Sequence, residues 1–149
     1  MPQSFVQNFA HLVFSTKHRL PLITSDIETS LHKYLTATCL NLNCYPKRIG
    51  GYNDHVHILC DINKNMLVTD FVKEVKQSSS KWMKATHSRR TFYWQAGYAS
   101  FSVGYSDIGS VVNYIDVQHD HHRKETFQDE VRRFLFVHDI PFDERYMWD

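Results

Sequence analysis

Asn53-Asp54-His55-Val56-His57-Ile58-Leu59-Cys60 is the stretch from which the fold can be read. Side chains of an extended strand alternate between faces, so His55 and His57 point one way and Val56 and Ile58 the other. One face then carries a pair of imidazoles while the opposite face packs into a core. Two neutral imidazoles on a rigid strand make a large part of an open divalent-metal site, which still needs a third ligand and a reacting group. Asn53-Asp54 reads as a tight turn into this strand, 55–62. The residues before it, 44–52, read as a partner strand loosened at its end by Gly50-Gly51, so the two strands form a hairpin. By the same alternation Asp54 points away from the histidine face and is not read as a ligand.

Working outward, residues 5–16 are rich in β-branched and aromatic side chains with partial alternation, which predicts a strand. Lys17-His18-Arg19 follow as a basic turn, and Pro21 stops the strand. Ser25 and Asp26 are N-cap candidates for a helix to about Asn41, with Ile27, Leu31, Tyr34, Leu35 and Thr38 at helical spacing. Thr69 or Asp70 caps a second helix to about His87, burying Phe71, Val75, Trp82 and Met83. An aromatic-rich stretch, 91–105, ends in a strand at about 99–104. Two more helices, 107–121 and roughly 127–137, complete the chain; the last places Phe127, Val131, Phe134, Leu135 and His138 on one side. The order strand, helix, strand, strand, helix, strand predicts an α+β fold of the ferredoxin-like βαββαβ kind. Its antiparallel sheet carries the first two helices on one face and leaves the other for the third helix or a ligand.

Composition narrows the class. A chain of 149 residues is long enough for one domain with a proper core, and 42% hydrophobic with 22% charged residues is ordinary for a soluble protein. The formal charge of +1 leaves a nucleic-acid partner open, because binding depends on where charge sits. Three cysteines without a Cys-x-x-Cys spacing argue against a disulfide framework or zinc finger, and a reducing cytoplasm is the expected compartment. No apolar run reaches spanning length and no signal peptide is visible, so no membrane partner is expected. The ten histidines are the compositional oddity.

The third helix supplies what the histidine strand lacks. Tyr114 and Gln118 are four apart and so lie on one face, about 40° apart around the axis. Ile108, Val111, Val112 and Ile115 form the neighbouring apolar stripe that anchors the helix to the sheet. Docked beside the histidine strand, that helix can bring the Gln118 carboxamide oxygen to a metal and Tyr114 beside a bound substrate. His121 and His122 extend the region by a turn, where capping of the helix C-terminus competes with a chemical role. Trp94, Phe101 and Phe134 read as core, although Trp94 or Tyr98 could stack on an unpaired base.

With these residues in view, the sequence resembles a family. His55-Val56-His57 matches the histidine–hydrophobe–histidine signature of single-strand DNA endonucleases. The Tyr114-x-x-x-Gln118 helix followed by His121-His122 is similar to the IS200-like (IS200/IS605) tyrosine transposases. His11 to Arg19 resembles that family's first strand, Lys76 to Trp82 its second helix, and Trp94 to Tyr98 through Phe101-Ser102-Val103 its last strand. The resemblance spans roughly residues 8–137. It implies a single-tyrosine enzyme, because Gln stands at position 118 where two-tyrosine relatives carry their second. By this resemblance Tyr114 is the nucleophile and forms a 5′-phosphotyrosine linkage. Mg²⁺ or Mn²⁺ at His55, His57 and Gln118 holds the scissile phosphate. Single-stranded DNA with hairpin ends is the substrate, and a homodimer is implied, in some members with the tyrosine helix exchanged between subunits. Lys17, Arg19, Lys73, Lys76, Lys81, Lys84, Arg89 and Arg90 are the candidate DNA contacts.

Other classes fit less well. A relative serving chromosomal repeats would share the same active site. A ferredoxin-like nucleic-acid-binding module has no need of both histidines, Tyr114 and Gln118 at these positions. A zinc hydrolase lacks any His-Glu-x-x-His or Cys/His ligand spacing.

Overall fold

The computed structural model describes residues 2–149. Four strands, β1 (Phe9–Ser15), β2 (Tyr45–Tyr52), β3 (His55–Asp61) and β4 (Ala99–Ser102), form one sheet in the order β2-β3-β1-β4. All pairings are antiparallel. With α1 (Ser25–Asn41) between β1 and β2 and α2 (Val68–Thr86) between β3 and β4, the connectivity is the expected βαββαβ. The β2–β3 connection is the two-residue Asn53-Asp54 turn.

Alternation along the central strands sorts the two faces. Leu12, Phe14, Val56, Ile58 and Cys60 pack with Ile27, Leu31 and Leu35 of α1 and Phe71, Val75 and Met83 of α2 in the main core. Fully burying one such side chain contributes about 1.5–3 kcal/mol. The other face presents His11, Val13, His55, His57 and Leu59 to α3 (Ile108–Asp116), α4 (Gln118–His121) and α5 (Phe127–Val137). Phe127, Val131 and Leu135 of α5 seat on Val13 and Phe101, and Ile115 of α3 seats on Phe9 and Leu59. The three cysteines are free and buried. Among the described residues no helix is long and apolar enough to cross a membrane.

Several boundaries differ from the sequence reading. β1 begins at Phe9 rather than at residue 5 because its partner β3 ends at Asp61, opposite Phe9; Phe5, with nothing to pair or pack against, is 88% exposed. β4 ends at Ser102, where Val103 donates to Phe9 O at 3.0 Å and Gly104 leads into a short turn. The expected helix 107–121 is broken at Val117 (φ −102°, ψ 18°), giving α3 and α4. The N-caps are Thr24 and Leu67, each just ahead of the candidates read from sequence.

Candidate active site

β3 positions the imidazole pair. His55 pairs with Ser15 of β1 and Tyr52 of β2, and His57 with Val13 and Gly50, so both rings sit in the middle of the sheet. Both are fully buried. α3 reaches them because β2 has a glycine where it crosses. A Cβ on Gly50 would lie 2.6 Å from Ile115 Cγ2 and 3.0 Å from Ile115 O. At Gly51, φ is +155° and a Cβ would lie 2.2 Å from His55 O, so the turn into β3 requires a residue without a side chain.

The expected convergence is present within one chain. Gln118 Oε1 lies 3.1 Å from His55 Nε2, while Gln118 Nε2 donates to Glu130 Oε2 at 3.2 Å and Tyr114 O at 3.4 Å. The Tyr114 hydroxyl donates to Glu130 Oε2, and Arg133 Nη2 donates to the hydroxyl at 2.8 Å. His121 Nε2 is 3.5 Å from the same hydroxyl.

Glu130, on α5, is the residue that the sequence reading missed. Its Oε1 lies 3.1 Å from His57 Nε2, 3.2 Å from His122 Nε2 and 3.4 Å from His55 Nε2. Burial alone would push its carboxyl upward. Hydrogen bonds from His122 and His57, with the neighbouring imidazoles, outweigh burial and hold it far below the usual carboxylate range. His57 is pushed down by burial and stays neutral. His122 moves up: burial opposes its charge, but Glu130 and Asp54 overcome it. A detectable signal for Glu130 existed, because it stands three after Phe127 and four before Phe134, an acid inside the apolar stripe of α5.

A second tier of contacts fixes the rings. Asp54 Oδ1 is 2.7 Å from His55 Nδ1, so it orients the ring although its backbone belongs to the turn. His11 Nε2 is 2.8 Å from His57 Nδ1. His11, on β1, also escaped the sequence reading; a lone histidine among inward-facing apolar residues was its only mark.

The donor chemistry suits a divalent ion. Ligating atoms of His55, His57, His122 and Glu130 all lie within 4.8 Å of one another. The Asp54 contact requires the hydrogen of His55 to sit on Nδ1, which leaves the Nε2 lone pair facing the acceptor oxygens of Gln118 and Glu130. Acceptors converging on one point call for a positive charge between them.

The basic candidates sort differently. Lys73, Lys81 and Lys84 line an open groove beside α2 of about 590 Å³, with Lys84 Nζ 3.9 Å from the Tyr93 ring centre. Lys76 Nζ donates to the carbonyls of Gln95, Ala96 and Gly97 at 2.8, 3.3 and 2.6 Å. It clamps that turn, and burial lowers its pKa to about 8. Arg19 donates to Trp148 O at 3.1 Å and Arg89 to Thr24 Oγ1 at 3.3 Å, whereas Lys17 and Arg90 are exposed. Trp94 is buried and donates to Ser79 Oγ at 2.9 Å, so it is core and no stacking platform; Tyr98 is exposed.

The family described as "Transposase IS200 like" matches residues 4–118, about three-quarters of the chain, from the first strand through Gln118. The chain belongs to the IS200-like transposases. The ISDra2 transposase TnpA of Deinococcus radiodurans is 22% identical over 116 residues, covering 74% of this chain and 83% of that one. Two solved structures share this family member's fold. One is a protein described as a candidate transposase from Deinococcus radiodurans R1, with TM-score 0.64 and 20% identity, covering 79% of this chain and 96% of that one. The other is a REP-associated tyrosine transposase bound to a REP hairpin, with TM-score 0.60 and 12% identity, covering 82% of this chain and 73% of that one. His122 and Glu130 fall beyond the span that the IS200-like family matches.

Proposed function

We propose that this transposase cuts and rejoins single-stranded DNA, with Tyr114 as nucleophile and a divalent ion, Mg²⁺ or Mn²⁺, held by His55, His57 and Gln118. The observation that carries the reading is the bridge made by Glu130. Its Oε2 accepts from the Tyr114 hydroxyl while its Oε1 lies 3.1 Å from His57 Nε2, which puts the phenol beside the imidazole pair. His55, His57 and Gln118 would hold the divalent ion, which when bound would supply Lewis-acid polarisation of the scissile phosphate. Tyr114 Oη attacks the phosphorus and forms a 5′-phosphotyrosine bond as the bond from phosphorus to the 3′ oxygen breaks. With α5 and its Glu130 moved aside, the phenolic proton passes to water, and the departing 3′ oxygen takes a proton from water. A second 3′-hydroxyl displaces Tyr114 in the reverse sense and rejoins the strand.

In the closed packing the phenol is not yet activated. Burial raises the Tyr114 pKa well above the usual tyrosine range, the Glu130 charge adds to it, and Arg133 opposes. His55, His57, Gln118 and Glu130 are all buried beneath α5, so the strand enters when α5 moves aside. The groove along α2 supplies phosphate contacts through Lys73, Lys81 and Lys84, with Lys17 and Arg90 as further exposed cations. The substrate is single-stranded DNA with hairpin ends. The chain acts as a homodimer, and because α3 docks on its own sheet each subunit carries a whole constellation.

The test is incubation of the protein with hairpin-ended single-stranded DNA and Mn²⁺ or Mg²⁺, followed by denaturing electrophoresis. A covalent protein–DNA adduct is expected, absent in Tyr114→Phe and reduced at least about 100-fold in His57→Ala. Hydrolysed DNA without an adduct, or tight binding without cleavage, rejects the mechanism.

A further inference from the structure

The donor set around Glu130 is richer than the reaction needs. Three imidazole nitrogens and one carboxylate oxygen converge, and the carboxylate oxygen stands 3.1, 3.2 and 3.4 Å from His57, His122 and His55 Nε2. A tetrahedral ion with ligand arms of ~2.05 Å has ligand–ligand edges of about 3.3 Å. The three separations from Glu130 match three of the six edges, and the four donor atoms together lie within 4.8 Å of one another, so a small inward turn of the imidazoles closes the set. The outer partners also fit, since Asp54 on His55 Nδ1 and His11 on His57 Nδ1 can turn both Nε2 lone pairs inward.

We propose that His55, His57, His122 and Glu130 form a closed, four-donor site for a Zn²⁺-type transition ion, which latches α4 and α5 onto the sheet in a resting form of the protein. This rests on the reading above that the imidazole pair binds a metal, and adds a second donor set to it. Three imidazoles and one carboxylate in a closed tetrahedron suit Zn²⁺ or Co²⁺, whereas Mg²⁺ keeps an octahedron with several waters, for which this donor set has no room. A closed tetrahedron leaves no position for a phosphate. His122 or Glu130 must therefore withdraw before DNA is engaged, and Gln118, 3.1 Å from His55 Nε2, is placed to take over. In the metal-free form His11 can donate to His57 Nδ1 and His57 Nε2 to Glu130. Binding of the ion reverses the first of these hydrogen bonds. The latch joins residues far apart in the chain, His55 and His57 on β3 with His122 and Glu130 around α4 and α5, so metal binding and seating of α5 are one event.

The experiment uses the full chain, stripped by a chelator and dialysed. Zn²⁺ affinity is measured by competition with a chromophoric chelator, and geometry from the visible spectrum of the Co²⁺-loaded protein. One ion per chain with intense tetrahedral Co²⁺ bands is expected, together with a rise in melting temperature. His122→Ala and Glu130→Gln should each weaken Zn²⁺ at least a hundredfold and replace the tetrahedral bands by weak octahedral ones. Gln118→Ala should leave both readouts as in the parent. The melting curve of each metal-free variant reports whether it is folded; if Glu130→Gln is not, His122→Ala alone decides. Weakening by Gln118→Ala and not by His122→Ala overturns the four-donor site while leaving the transposase reading intact. Absence of bound Zn²⁺ and Co²⁺ in the parent protein overturns the latch, while the ion at His55, His57 and Gln118 is tested separately by Mn²⁺- or Mg²⁺-dependent adduct formation.

Discussion

His11 shows how one buried side chain couples this site to pH. Burial is the main cause that lowers its pKa to about 3, and the His57 ring adds to the effect. An unfolded imidazole titrates near ~6.5, so between these values the unfolded chain binds a proton that the folded chain refuses. The stability is present above about pH 6.5 and is lost as pH falls toward 3. At pH 4.5 the two-unit gap corresponds to about 2.7 kcal/mol. His57 acts in the same direction and His122 in the opposite one. Urea unfolding at pH 7.0 and 4.5 with a chelator present should show a fall in stability that is smaller by roughly 2–3 kcal/mol in His11→Gln, which keeps a donor toward His57 but does not titrate. An equal fall in both proteins would show that His11 is not held neutral. At this scale the sequence was only partly legible. Strand alternation was enough for His55 and His57, and helical spacing for Tyr114 and Gln118. Glu130 and His11 were not read, because a period identifies the face a residue occupies and cannot tell a buried acid with partners from one that breaks the pattern.

At the scale of elements, the docking of α3 across β2 decides whether the site exists. Gly50 faces both Ile115 Cγ2 and the main-chain oxygen of Ile115. A side chain can rotate away from an added methyl group; a helix carbonyl cannot. Gly50→Ala should therefore push α3 outward, at about 1–3 kcal/mol for the overpacking. A displacement of ~1 Å at Tyr114 and Gln118 lowers reaction rates about 100-fold. The expected result is a modest drop in melting temperature and a large loss of covalent adduct, with DNA binding retained. Adduct formation at the parent rate would show that this close approach is not needed. The hydrophobic stripes Ile108–Ile115 and Phe127–Leu135 were legible because each is a simple helical repeat. The break at Val117 and the early end of β4 were not, since both depend on what the rest of the chain places next to them.

For the molecule as a whole, the question is how a strand reaches a half-buried phenol packed beside α5. The groove along α2 and a second cleft of about 300 Å³ beneath α5 share Gln95 and Tyr98 at the β4 edge. The second cleft is lined by Val131 and Leu135 of α5, the residues that hold this helix on the sheet. A strand lying on Lys73, Lys81 and Lys84 would thus pass Tyr98 and arrive at the element that must move. Each phosphate contact with single-stranded DNA contributes about 0.7 to the slope of log affinity against log salt. Replacing these three lysines by Gln together should flatten that slope by about 2, and the loss of binding should not depend on base sequence. Lys76 makes the contrasting prediction, because its ammonium is held by three main-chain carbonyls of the 95–97 turn. Lys76→Met should lower the melting temperature while leaving the slope close to the parent value. A slope unchanged in the triple variant would place the DNA on another face. A slope that falls in Lys76→Met as much as in a single Lys73→Gln would mean that this ammonium leaves its carbonyls to meet the phosphates.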